Sequence, residues 1–391
     1  MKKQGNAVLT AALLLGAAAS GAALADEPAA APAKPTAPAG PTLKDLLTAS
    51  GIDMHGYVDT AFSWLSGAGL FTSGAADRVF DTEPNSFNVH QAALIVDYQP
   101  KEGFGALVNL TAGRDARIIQ SVGESSSNFD VTQAFVQFAH NPITIIGGKY
   151  VTLAGAEVIN STADTNYSRS ILFGYAIPFS HTGVRLTYAA SDQVSLIVGL
   201  NNGWDQLQDT NKQKTAELGV AFTPNKICSL AVQGYSGTEN TSSGHSGRRD
   251  LIDAVGTWNA TSQLTLILNV DWGDQDSAAS LLNGTLSKAK WDGAAAYANY
   301  QFNDHWAVSV RAEYFDDKDG YRTGVIQKWK EGTATLRYMP NTNFEVRAEG
   351  RYDKTDGSDF IDNALAFTTS AGATGTKDTG YSLGLEAIAK F

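Results

Sequence analysis

The amino-acid sequence predicts an all-β protein, a transmembrane antiparallel β-barrel of about 16 strands, within a range of about 14 to 18. From residue 55 onward, segment after segment alternates apolar and polar residues. After the N-terminus, no apolar stretch reaches the roughly 18 residues that a spanning helix needs. Short and long connections also alternate along the chain. A barrel accounts for all three observations, because it crosses a membrane with strands whose polar faces line its interior.

The composition excludes several other classes of protein. The chain has 391 residues, one Cys and a formal net charge of −11. An acidic balance argues against a nucleic-acid-binding protein, and a single cysteine permits neither an intramolecular disulfide framework nor a Cys-rich zinc site. The mean hydropathy of −0.16 argues against a bundle of membrane helices. The length suits one large β domain.

The N-terminus, residues 1–25, has the three parts of a secretory signal peptide. Lys2 and Lys3 precede a short Ala-rich apolar run, which ends in a small-residue cleavage site at Ala25. A transmembrane helix is the alternative, and the short run followed directly by a cleavage site disfavours it. Removal of the two lysines leaves 27 basic against 40 acidic side chains, a mature charge of −13. The sequence therefore predicts that the mature protein is located outside the cytoplasm.

Residues 26–41 alternate Ala and Pro and predict an extended linker in the periplasm. Residues 42–51 predict a short amphipathic helix, since Thr42 and Asp45 have capping-box spacing and Gly51 can end it. This helix could plug the pore or pack at the periplasmic rim, but a structural lead-in to the first strand is favoured. The barrel is predicted over residues 52–391.

Alternation is clearest in FEVRAEGRYD, where Phe344 and Val346 share one face and Glu345 and Arg347 share the other. Tyr and Trp fall near segment ends on the apolar face, as in the aromatic girdles of membrane barrels. The predicted strands are 55–64, 88–98, 104–114, 131–139, 142–152, 182–190, 194–204, 214–223, 228–236, 249–259, 264–273, 289–302, 305–315, 328–339, 344–353 and 379–391. Seven short turns alternate with connections of about 9 to 29 residues, which predicts periplasmic turns and long external loops.

The last segment, YSLGLEAIAKF, alternates and ends in an aromatic residue, Phe391. Such an ending resembles the signal that the bacterial barrel-assembly machinery reads on its clients. That machinery is therefore an expected partner. Outer-membrane lipid and lipopolysaccharide are the other expected partners of the outer surface.

A barrel of about sixteen strands is wide enough for an aqueous lumen, which suggests transport of small hydrophilic solutes. The longest connection, about 153–181, is the third external loop, and its apolar part over 171–178 is too hydrophobic to stand free in water. We expect it to pack inside the lumen and constrict it; a lid above the barrel, or an extra hairpin, is the alternative. The candidate pore-lining and constriction residues are Glu157, Asp164, Arg169, Arg185, Arg311, Glu313, Arg337, Glu345, Arg347 and Arg351.

Among these candidates, Arg311, Arg337 and Arg347 are expected to be the most accessible to solute. Inward Arg and Glu on neighbouring strands also pair simply to satisfy one another, and the sequence leaves both roles open. No catalytic residue, cofactor or metal site is predicted, because the six histidines are scattered and no HExxH or other metal spacing occurs.

Three segments carry a resemblance to a known family: FNVHQAALIVDYQP, GLNNGWD and NYSRSILFGYAIPFSHTGVRLTY. They resemble the OmpL-like beta-barrel porins of Gram-negative bacteria, over most of residues 50–391. The most specific part is 166–188, in the third external loop and the strand after it. The resemblance implies an outer-membrane porin, but it assigns no role to any single residue. The Ala/Pro linker is not part of it.

The sequence therefore favours a passive diffusion channel constricted by its third external loop. A structural, adhesive or plugged outer-membrane barrel is the alternative. An outer-membrane enzyme is less favoured, because Ser and His occur in no recognisable catalytic motif. The transported solute, the ion preference and the choice between a monomer and a homotrimer are not fixed by the sequence.

Overall fold

The computed structural model describes residues 42–66, 78–124, 127–241, 244–279, 284–357 and 377–391. The predicted signal peptide and linker lie outside the described residues. Contacts divide the chain into two compact units, Met1–Leu46 and Leu47–Phe391, and the second contains the barrel. Within the described residues, no helix combines the length and the apolar character needed to cross a membrane.

Sixteen antiparallel strands form one closed barrel, in which each strand pairs with its sequence neighbours and β1 pairs with β16. The predicted fold class is confirmed. The strands are β1 Asp53–Leu65, β2 Ser86–Tyr98, β3 Gly103–Ala112, β4 Phe129–His140, β5 Ile143–Val151, β6 Ser180–Ala189, β7 Val194–Asn201, β8 Thr215–Phe222, β9 Cys228–Asn240, β10 Ser246–Asn259, β11 Leu264–Ala279, β12 Leu286–Gln301, β13 Trp306–Asp317, β14 Gln327–Asn341, β15 Phe344–Thr355 and β16 Thr379–Lys390.

Within the described residues, three helices accompany the strands: α1 Leu43–Ser50, α2 Ala116–Ile119 and α3 Ile171–Tyr175. The capping box at the start of α1 is confirmed. The backbone N–H of Thr42 donates to Oδ2 of Asp45 at 2.8 Å, and the backbone N–H of Asp45 donates to Oγ1 of Thr42 at 3.2 Å. These bonds satisfy backbone donors that a helix start leaves free.

The strands alternate as the sequence predicts, and many polar side chains that face the interior of the barrel are buried. Apolar side chains on the outer parity are exposed, with Leu218 at 61% and Leu383 at 60%. Polar side chains on the inner parity are buried, with Thr335 and Asp353 at 0%. Lipid contacts the apolar side chains on the outer face of the barrel. The buried polar side chains on the inner face need hydrogen-bond or ion-pair partners inside the barrel.

Eight connections join successive strands at the end of the barrel opposite the seven turns, and we name them L1 to L8 in chain order. They comprise residues 66–85, 113–128, 152–179, 202–214, 241–245, 280–285, 318–326 and 356–378. L5 and L6 are shorter than the minimum of about 9 residues that the sequence predicted, so that prediction is wrong for them. β9 and β11 continue four and six residues beyond their predicted ends at 236 and 273. Residues 237–240 and 274–279 no longer alternate apolar and polar residues, although backbone pairing continues.

The largest apolar cluster of the described residues lies inside the barrel, where four loops and the inner wall meet. Its loop members come from L1, L2, L3 and L4, and its wall members are mostly aromatic residues of β9, β12, β13 and β14. The cluster contains Phe80, Ile119, Ala154, Ile159, Ile171, Leu172, Phe173, Ala176, Ile177, Phe179, Trp204, Tyr235, Leu251, Trp291, Ala295, Tyr297, Phe315 and Trp329. L3 contributes eight of these eighteen residues, more than any other loop or strand.

Candidate functional site

L3, residues 152–179, runs through the lumen and is fixed to the inner wall by charged side chains. Its only helix, α3, begins after Ser170, whose Oγ accepts the backbone N–H of Phe173 at 2.9 Å. The backbone around α3 is buried, so its polar groups need partners from the wall. The inward residues of β13, β14 and β15 supply them.

Two glutamates accept pairs of backbone N–H groups from L3. Glu313 on β13 accepts those of residues 171 and 172, at 2.8 and 3.1 Å. Glu349 on β15 accepts those of residues 167 and 168, at 2.7 and 3.0 Å. A carboxylate that accepts two N–H donors is a strong partner for a buried loop, because charge-assisted hydrogen bonds are about twice as strong as neutral ones.

Two arginines of β15 donate to carbonyl oxygens of the same loop. Arg347, which is 0% exposed, donates to the carbonyls of Ser161 at 3.1 Å and Asp164 at 2.8 Å. Arg351 donates to the carbonyl of Arg169 at 2.7 Å. Donors and acceptors of L3 are thus satisfied by side chains of β13 and β15, which gives the loop a defined position.

Arg311 joins L3 to β13 and β14. Its guanidinium lies 2.7 Å from the carboxylate of Glu157 in L3 and 3.1 Å from that of Glu331 on β14. It also donates to the carbonyl of Ser168 at 2.6 Å. Glu157 in turn accepts the backbone N–H of Ser170 at 2.7 Å. Arg311 is 0% exposed, so this ion-pair network is shielded from water on every side.

The apolar side of L3 packs on aromatic wall residues. Leu172 and Phe315 are 0% exposed, and Trp291 donates from Nε1 to the carbonyl of Ala176 at 3.1 Å. Burial of an aliphatic side chain of this size stabilises a docked loop by about 1.5–3 kcal/mol. L3 is therefore held by apolar contacts on one side and by charged clamps on the other.

Nearer the external end, an arginine of β10 and one of L7 lie over an indole of L4. The guanidinium of Arg249 lies 4.8 Å from the ring centre of Trp204, and that of Arg322 lies 5.3 Å from it. Burial, followed by the nearby charge of Arg249, lowers the pKa of Arg322 to about 10. Arg322 also donates to the carbonyl of Tyr175 at the end of α3. These contacts connect L7 to L3.

The ten residues predicted to line the pore are mostly gathered around L3. Nine of them are at most 6% exposed, and Arg337 is partly buried, with 15% of its side chain exposed. Arg185 has separate partners: it pairs with Glu217 at 2.8 Å. Glu345 pairs with Arg337 at 2.6 Å and with Arg347 at 2.8 Å. Nine of the ten form ion pairs, and the tenth, Glu313, accepts two backbone N–H groups of L3; that they line the path of a solute stays a prediction.

A second set of polar residues was not among those candidates. It lies where β1, β2 and β16 face L1, L2 and L3. A cavity of about 210 Å³ near the external end of β2 adjoins one of about 10 Å³ deeper in the barrel, and the two share Asp81, His90 and Asp115. Asp59 and Glu386 line only the deeper cavity. The alternation in β1 and β16 predicts that the side chains of Asp59 and Glu386 face the interior. No local pattern in the sequence predicts this for Asp115, which lies in a loop.

At the periplasmic end, Asp53, His55 and Asp97 form a small open group on β1 and β2. Their ligand atoms all lie within 4.8 Å of one another, so the described residues include one arrangement with metal-ligand spacing. Two of these three residues are exposed to solvent. Exposed carboxylates and imidazoles are commonly hydrated without an ion.

Comparison with known proteins gives one family. The sequence profile of the family described as Putative beta-barrel porin-2, OmpL-like, matches residues 51–391. No curated protein matches the chain significantly.

Several solved structures have a similar fold. The outer membrane channel DcaP of Acinetobacter baumannii is 10% identical, with a TM-score of 0.61 over 87% of this chain and 97% of that one. The anion-selective porin of Comamonas acidovorans is 13% identical, with a TM-score of 0.58 over 87% and 99%. OmpT of Vibrio cholerae in a trimer form is 15% identical, with a TM-score of 0.57 over 87% and 99%. At such low identity the likeness concerns the fold alone.

Proposed function

This chain belongs to the family of OmpL-like beta-barrel porins, and on that premise we propose that it is a passive diffusion channel for small hydrophilic solutes, narrowed by L3. It is an outer-membrane β-barrel, and a barrel of sixteen strands is wide enough to surround an aqueous passage. The observation that carries the proposal is the docking of L3 inside the lumen by Glu313, Glu349, Arg347 and Arg351. No energy source is required for such a channel.

The charged inner wall then has two tasks. Some residues hold L3, and the rest of the wall sets which solutes pass beside it. Arg311 and Arg347 belong to the first group, since each is 0% exposed and bonded to L3. Arg337, with 15% of its side chain exposed, is the member of the predicted arginine set that solute can reach. Rings of charged side chains select ions by attraction and by the cost of desolvation.

A plugged or structural barrel is the second candidate. The observation that favours it is the apolar cluster inside the lumen, to which L1, L2, L3 and L4 all contribute. If L3 never leaves this position, most of the cross-section is filled by packed side chains. The barrel would then act through its loops rather than through its pore.

Single-channel recording separates the two candidates. The refolded mature protein is placed in a planar bilayer, together with a variant in which residues 171–178 are replaced by a Gly/Ser segment of equal length. A diffusion channel gives stepwise conductance in the unmodified protein and larger steps in the variant. A plugged barrel is silent and begins to conduct only in the variant. Silence of both proteins, with folding verified by the heat-dependent shift in gel mobility, would reject a channel altogether.

The expected partners also have support in the fold. A cavity of about 340 Å³ on the outer surface is lined by Tyr314, Lys328, Lys330 and Lys354. Lys330 and Lys354 lie directly opposite each other on β14 and β15. Ammonium groups at the external rim are suited to the phosphates of lipopolysaccharide, and we assign that partner to this cavity.

For assembly, we propose a homotrimer and recognition of the C-terminus by the barrel-assembly machinery. Small residues on the outer faces of β13 to β15, such as Ala312, Ala334 and Gly350, line a shallow apolar cavity of about 540 Å³ where a second barrel can approach closely. Phe391 exchanges two backbone hydrogen bonds of 2.9 Å with Gly56 and so completes the closing strand pair. The signal peptide, residues 1–25, and the periplasmic linker, residues 26–41, remain predictions from the sequence.

A further inference from the structure

The narrow cavity beside Asp59 contains more negative than positive side chains. Four carboxylates line it, those of Asp59, Asp81, Asp115 and Glu386. The cationic side chains that line it are Arg169 and, when protonated, His90. The cavity lies between L3 and the inner faces of β1, β2 and β16, away from the arginines of β13 and β15 that hold L3.

Three of these carboxylates have a cationic partner. Asp81 pairs with Arg78 at 2.7 Å, and Asp115 lies 3.1 Å from Nδ1 of His90. The third, Glu386, lies 3.1 Å from the guanidinium of Arg347. Arg169 does not pair with Asp59, because its guanidinium is bonded to Asp164 at 3.0 Å.

Asp59 is the exception. It is 2% exposed, and its Oδ1 has no hydrogen-bond partner among the residues that the structure describes. Ser161 and Glu386 lie beside the carboxylate. Two buried carboxylates side by side repel each other unless a proton or a cation lies between them, and a buried unpaired charge is costly.

We propose that Asp59, with Glu386, binds the permeating ion and makes this channel select small monovalent cations while L3 is docked. The inference rests on the proposed channel function and names its substrate class. The cavity of about 10 Å³ holds roughly one water-sized species, which fits K⁺, Na⁺ or ammonium and excludes a sugar.

The path to this site begins outside the barrel. The cavity of about 210 Å³ between L1 and L2 narrows into the smaller one past Asp81, His90 and Asp115, which line both. An ion that enters at the external end therefore meets acidic side chains before it reaches Asp59. Arg114 and Arg117 also line the outer cavity, where Arg114 pairs with Glu83. The deeper cavity, with four carboxylates against Arg169 and His90, is therefore the part of the path that repels an anion.

The test is the reversal potential of the refolded mature protein in a planar bilayer with a KCl gradient. Asp59→Asn keeps the shape of the side chain and removes its charge. We expect the unmodified protein to prefer K⁺ to Cl⁻, and the variant to lose about tenfold of that preference. Asp271→Asn is the matched control, since Asp271 is another buried inward carboxyl, 1% exposed, whose oxygens have no hydrogen-bond partner among the described residues. It lines neither cavity and should leave the preference unchanged.

The outcomes are distinct. Conductance with an anion preference, or with equal values for the unmodified protein and Asp59→Asn, overturns the cation site and leaves the channel intact. Absence of conductance in the unmodified protein overturns the channel and, with it, the inference. A second measurement needs no variant: crystals of the unmodified protein soaked in Tl⁺ should give an anomalous peak beside Asp59. Its absence would mean that Asp59 and Glu386 share a proton, and would overturn the proposal.

Discussion

Weakening one clamp on L3 should widen the channel without damaging the barrel. Glu349, 6% exposed, accepts the backbone N–H groups of residues 167 and 168 and the hydroxyl of Thr335 at 2.7 Å. In Glu349→Gln, one carboxylate oxygen becomes an amide that can only donate. One N–H group of L3 then faces another donor and loses its acceptor.

The magnitude follows from these bonds. A hydrogen bond to a charged group contributes about 1.5–3 kcal/mol, and a buried donor left without an acceptor costs about 1–3 kcal/mol. Part of each loss is recovered by the remaining amide oxygen, so we expect L3 docking to weaken by about 2–3 kcal/mol. That corresponds to a roughly 30- to 150-fold shift towards the undocked loop. In single-channel records, the variant should spend a correspondingly larger share of time in the larger conductance state.

The matched control is Glu239→Gln. Glu239 on β9 is 3% exposed and accepts the backbone N–H of Trp204 in L4 at 3.1 Å and the hydroxyl of Thr215 at 2.7 Å. It has the same chemistry but holds a different loop. If both variants change conductance equally, the effect is general loosening and not release of L3. If Glu349→Gln behaves like the unmodified protein while remaining folded, L3 does not control the passage, and the reasoning fails.

Three further predictions concern single positions. A Cβ atom at Gly384 would lie 2.5 Å from the ring of Tyr167, so this position has space only for hydrogen. Gly384→Val should therefore displace L3 and raise the conductance. Gly332→Val is the control and should leave the conductance unchanged, because a Cβ atom at Gly332 would face open space. Deletion of Phe391 removes the two backbone hydrogen bonds to β1. The yield of folded barrel in outer-membrane fractions should then fall. An unchanged yield would mean that Phe391 has no role in assembly of the barrel. Lys330→Glu should lower the amount of lipopolysaccharide that copurifies with the protein, as measured by phosphate analysis. An unchanged amount would mean that the cavity lined by Lys330 does not bind lipopolysaccharide.

The barrel could be predicted because its cause is local. A strand that faces lipid on one side and polar groups on the other must alternate, and the alternation in β15 and β16 predicts both faces correctly. The predicted end of β11 was wrong because residues 273–279 follow no apolar–polar alternation, although they continue the strand that pairs with β12. Backbone pairing in this part of the hairpin depends on the neighbouring strand, and a local sequence pattern does not specify it.

The site was only partly predictable for a related reason. Inward parity marks a charged side chain such as Glu349 or Asp59, but it does not reveal what that side chain faces. The partners are loop atoms far away in the sequence. Glu349 accepts backbone N–H groups of L3, and Asp59 lines the deeper cavity together with Asp115 of L2. Such partners depend on how L2 and L3 fold into the barrel, which no local pattern specifies.

A charged inner wall is therefore compatible with two opposite interiors. In an open pore the arginines and glutamates face water, and in a filled one they bind the backbone of a loop; the alternation in the strands is the same. The feature that decides is the loop itself. Residues 171–178 are apolar enough to need burial, and Glu313 and Glu349 accept the backbone N–H groups next to them. Asp59 has no cationic partner in the cavity that leads in from outside, and we infer that it is then the group that a passing ion meets.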